Sequence, residues 1–83
     1  MKYHAVNMDL HKANKEASEG AMLLNIARGL VEAAKSVETN GSDAKQIATL
    51  KQTALEHVET AERQMYNAAS LLTSIRNRMV FED

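Results

Sequence analysis

Cysteine, proline and tryptophan are absent from this chain, and glycine occurs three times in 83 residues. Without cysteine no disulfide can staple the fold, and the thiolate zinc sites are closed to it, leaving three histidines as nitrogen ligands. Without proline, no residue breaks a helix by withholding its backbone donor. Neither sign of charge dominates, since ten Lys+Arg stand against eleven Asp+Glu. No basic excess points to nucleic acid, and no acidic tail points to a basic partner. The longest uninterrupted apolar run is Ala21-Met22-Leu23-Leu24, far too short for a membrane span or a signal-peptide core. These absences lead to the expectation of one soluble, cytoplasmic domain over residues 1–83. Its core is small, so long regular helices or self-association must stabilise it.

What is present favours helix: alanine, leucine, glutamate, lysine and glutamine dominate. The turn-forming residues Asn40, Gly41, Ser42 and Asp43 fall together once, at the midpoint. Asn40 or Gly41 can take the left-handed conformation that ends a helix. Ser42 or Asp43 can cap the next one, and Asp43 with Gln46 has capping-box spacing. The pattern predicts helices over 8–39 and 43–79, joined by a loop of about two to four residues that forces them antiparallel.

Apolar periodicity supports both helices. Leu10, Ala13, Ala17, Gly20, Leu24, Ala27, Val31 and Ala34 alternate in steps of three and four. So do Ile47, Lys51, Ala54, Val58, Ala61, Met65, Ala68, Leu72, Ile75 and Met79, with Lys51 as the one intruder. Small residues recur every seventh position, at Ala13, Gly20, Ala27 and Ala34 and again at Ala54, Ala61 and Ala68. Small residues in a seam let two helix backbones approach closely, as in an alanine-type antiparallel coiled coil.

Between Ala21 and Val37 the apolar arc covers roughly 200° of the first helix, twice the stripe of about 100° that one contact needs. A lone hairpin is expected to leave Leu23, Ile26, Leu30 and Val37 largely wet, with Leu50 and Leu71 flanking the seam of the second helix. These six are the candidate oligomer interface. The fold class expected is therefore all-α: an antiparallel two-helix hairpin assembled as a dimeric four-helix bundle. Lys51, Glu62 and Arg76 fall within the apolar sector of the second helix, where they either snorkel to its edge or set the register of an interface.

Chemistry is sparse. The Glu-x-x-His pairs of di-iron bundles are missing, and His4 and His11, seven apart, have no third ligand. The five serines have no neighbouring His–acid arrangement, and three isolated glycines cannot build a phosphate loop. No enzyme activity, cofactor or metal is expected, and neither nucleic acid nor membrane is an expected partner. Antiparallel pairing gathers Tyr3, His4 and His11 with Arg76, Arg78 and Phe81 at the open end, and arginine and aromatic residues are enriched at binding hot spots. These six are the candidate partner-binding residues. The sequence thus points to a small protein-interaction module (an adaptor, chaperone or inhibitor) that binds itself and a further protein. A self-assembling structural subunit is one alternative. The other is a small-ligand sponge with a pocket between protomers lined by residues such as Tyr3, Arg76 and Arg78.

Overall fold

The computed structural model describes the backbone of residues 2–41 and 43–81 and the side chains of residues 4–41 and 43–80. It contains two helices, α1 (Lys2–Asn40) and α2 (Ala44–Phe81), packed along their whole length as a helical hairpin. The rod measures 62 × 13 × 13 Å. The helices overrun their predicted bounds most at the start, where α1 begins at Lys2 rather than near residue 8. This first turn has a reason to form, because Val6 is buried and continues the seven-residue series one step beyond Ala13.

The junction is built as its residues dictate. Gly41 carries a backbone φ of +132°, a conformation that L side chains rarely adopt. Asn40 stays helical and donates its amide N–H to Ser36 Oγ at 3.4 Å. Asp43 is the N-cap of α2: its Oδ1 accepts the Gln46 backbone N–H at 3.2 Å, and its carbonyl accepts the Ile47 N–H at 3.0 Å. Ser42, the other candidate cap, lies outside the described residues. Nothing lies within 4 Å of a Cβ added at Gly41, so a substitution there strains the backbone alone. Gly41→Ala is expected to cost about 1 kcal/mol, read as a melting temperature lower by roughly 4–8 °C. An unchanged melting temperature would contradict this account of the turn.

Every buried residue among those described belongs to one series. Val6, Ala13, Gly20, Ala27 and Ala34 of α1 face Ala54, Ala61, Ala68 and Ile75 of α2. Gly20 sets the register, since a Cβ placed on it would lie 3.5 Å from the Ala61 carbonyl oxygen. Stepping by sevens in opposite directions pairs Ala13 with Ala68, Ala27 with Ala54 and Val6 with Ile75. The small-residue spacing is therefore the seam itself, and Ala61 is 0% exposed within it.

The companion series differs from the sequence expectation. Leu10, Leu24, Val31, Val58, Leu72 and Met79, expected to alternate with the small residues in the seam, are 42–53% exposed. Ala17, Ile47 and Met65 of the expected seam stay half-buried, but the better-covered flank of the small series is formed by the residues three positions on. Those are Asp9, Glu16, Leu23, Leu30 and Val37 of α1, and Leu50, His57, Gln64, Leu71 and Arg78 of α2, all half-buried. Leu23, Leu30 and Val37 are thus half-covered by the hairpin rather than wet, while Ile26 remains exposed.

Candidate interaction surface

Two unlike sides flank the seam. The mixed side holds Leu23, Leu30, Val37 and Leu50 towards the turn and polar groups towards the open end. There Arg78 pairs with Asp9, and Gln64 donates its amide N–H to Glu19 Oε2 at 3.0 Å. Lys12, Glu16, Asn67, Ser70 and Leu71 line a groove on the same side. Long polar side chains close over the seam here, each held across the helices by one end of its head, while Gln64 Oε1 and Arg78 Nε are buried without a partner among the described residues.

The opposite, apolar side carries the residues four positions on from the small series. Leu10, Ala17 and Leu72 line one groove with Ala13, Asn14 and Ala68, and Met65 reaches over Gly20. Periodicity adds Leu24 and Val58, then Val31 and Lys51 towards the turn, and Met79 towards the open end. Of the twelve large hydrophobic side chains left exposed among the described residues, seven lie on this side: these six leucines, valines and methionine of the stripe, with Leu55 at its rim. The hairpin covers its partly charged side more fully than its most apolar side, where Ala17 and Met65 are half-buried and the larger side chains are about half exposed. That inverts the usual order of burial, and such a patch marks an interaction surface.

The open end does not converge. His4 and His11 are exposed on the face of α1 turned away from α2, and His11 borders a groove formed by α1 alone, with Asn7, Met8, Leu10 and Asn14. Arg76 is exposed at the rim of the apolar side, whereas Arg78 is half-buried on the mixed side with Asp9. Tyr3 and Phe81 have side chains outside the described residues. Of the six oligomer candidates, Leu23, Leu30, Val37, Leu50 and Leu71 sit half-buried on the mixed side, with Ile26 exposed at its outer edge.

Among the described residues, no three His, Asp or Glu side chains could together hold a metal ion, and no helix is long and apolar enough to cross a membrane. The residues that periodicity placed in the seam and the structure turns outward are the ones that sequence reasoning missed as a surface. Their signal was present, because two step patterns, three-then-four and four-then-three, fit each helix about the same alanines. Compared with protein-family models, curated proteins and solved structures, the chain matches none.

Proposed function

We propose that this protein is a small interaction module without catalytic activity, an adaptor, chaperone or inhibitor, that works as a homo-oligomeric helical bundle by occupying another protein's surface. The observation that supports this most is the exposed apolar side. It accompanies a seam whose buried residues, among those described, are alanine or glycine except for Val6 and Ile75. The chain exposes 6202 Å², against about 4,900 Å² for a compact monomer of its mass. A rod with so thin a core gains its remaining stability by covering that surface.

The test is capture of a target by the immobilised chain, followed by single substitutions. Wild type is expected to retain one protein, and Arg78→Ala or Phe81→Ala to lose it without loss of helicity if the open end is the contact. If both are silent while capture persists, the contact moves to Leu23, Ile26 and Leu30. Two results contradict the module outright. One is growth of filaments with concentration, the mark of a structural subunit. The other is a rise in melting temperature with a specific metabolite, the mark of a ligand sponge.

A further inference from the structure

We infer that the occupant of the apolar side is a second copy of this chain. It lies face to face on the first with the turns at opposite ends, about a two-fold axis passing near Ala21 and Glu62. The inference rests on the interaction-module reading and names the first partner. Size is one support. A face 62 Å long and 13 Å wide offers on the order of 800 Å², which is what each partner contributes to a stable interface. A self-complementary face of that length suits an isologous dimer, where one patch serves both copies.

Fit along the axis is the second support. With the two-fold at the midpoint of the rod, each helix lies antiparallel on its own twin. Steps of seven then place Ala17 over Leu24 of the second copy and Met65 over its Val58, so small meets large in the central layers. On the α2 rim, Leu55 falls on Ala69 of the second copy, and Arg76 lies over its Ala48. Ala21 meets its own counterpart, and two alanines there let the α1 helices approach closely.

Charge decides the orientation. Arg28, Lys35 and Lys51 all stand towards the turn on this side. Stacking turn on turn would gather these three cations from both copies at one end, and like charges at an interface are costly. Turns pointing apart send them to opposite ends of a 62 Å rod, far beyond a screening length of about 8 Å. The like-charge meetings this creates, Glu62 with its counterpart and Lys51 within a turn of Arg76 of the second copy, lie at exposed positions where such interactions are weak.

The absence of native cysteine makes disulfide trapping a direct test on the full chain. Ala21→Cys, at an exposed position, is expected to form a covalent dimer on mild oxidation. Met22→Cys, next to it but turned to the back of α1, and the pair Asn14→Cys/Ala69→Cys are expected to stay uncrosslinked between chains. A crosslink through the Asn14→Cys/Ala69→Cys pair, but not through Ala21→Cys, overturns the orientation in favour of turn-on-turn stacking. Equal trapping at positions 21 and 22 indicates mere collision, and a dimeric mass with no trapping places the second copy elsewhere; either result overturns the inference. A monomeric mass with no trapping also overturns it. That outcome also removes the homo-oligomeric bundle from the proposed function and leaves the interaction module, as a monomer, to its own capture test, with the apolar side vacant for another protein.

Discussion

Ala61→Leu is expected to destabilise the hairpin more than any other single substitution in the seam. Ala61 is 0% exposed, and its carbonyl lies 3.5 Å from where a Cβ on Gly20 would stand. Above that contact, Met65 Cε already comes within 2.9 Å of the same point. Three further carbons have nowhere to go unless α1 and α2 separate, and separation loosens Ala54 and Ala68 one step away on either side. Overpacking of this kind costs about 1–3 kcal/mol and occasionally more. For a domain of this size that is a fall in melting temperature of roughly 4–8 °C per kcal/mol. Ala33→Leu, on an exposed face of α1, supplies the control and is expected to change stability by no more than about 0.5 kcal/mol. Equal melting temperatures for the two variants would show that the helices are not held at the spacing that the small residues allow.

The second large effect belongs to the apolar side. Leu24 and Val58 are each 43% exposed, so in an isolated hairpin glutamate at both positions forfeits only the covered half of each side chain, roughly 1 kcal/mol apiece. In the inferred dimer both would lie in the shared core, and each carboxylate would be taken out of water at an effective penalty of several kcal/mol per ion. Leu24→Glu/Val58→Glu is therefore expected to weaken self-association by more than about a hundredfold, or about 2.8 kcal/mol. Sedimentation would read this as a shift from dimer to monomer. Met22→Glu, which is 56% exposed on the back of α1, is expected to leave the mass unchanged. If the double variant remained dimeric, the apolar side would not be the contact.

Much of the fold was legible in the residues. The single cluster of turn formers located the junction, and Asp43 with Gln46 marked the cap that the structure shows. Alanine and glycine at every seventh place marked the seam. The start of α1 was not legible, because Lys2–Asn7 offers neither a cap nor a periodic run, only Val6. The flank was misread for a physical reason. Asp9, Glu16, Gln64 and Arg78 are polar, so hydrophobic pattern alone assigned their side to solvent and Leu10, Leu24, Val58 and Leu72 to the seam. Cross-helix pairing of Arg78 with Asp9 and of Gln64 with Glu19 lets the polar flank close over alanine. The leucines of the other flank have no such reason to lie where they do within one hairpin. Packing between helices of different copies would supply it, and pattern within a single chain cannot separate an intramolecular seam from an intermolecular one.

The measurement that bears most directly on this is the absolute mass in solution by light scattering, across about a hundredfold range of concentration. Coverage of the apolar side by a second copy predicts a mass of twice the 9.2 kDa chain throughout that range. A mass of 9.2 kDa at every concentration would contradict it.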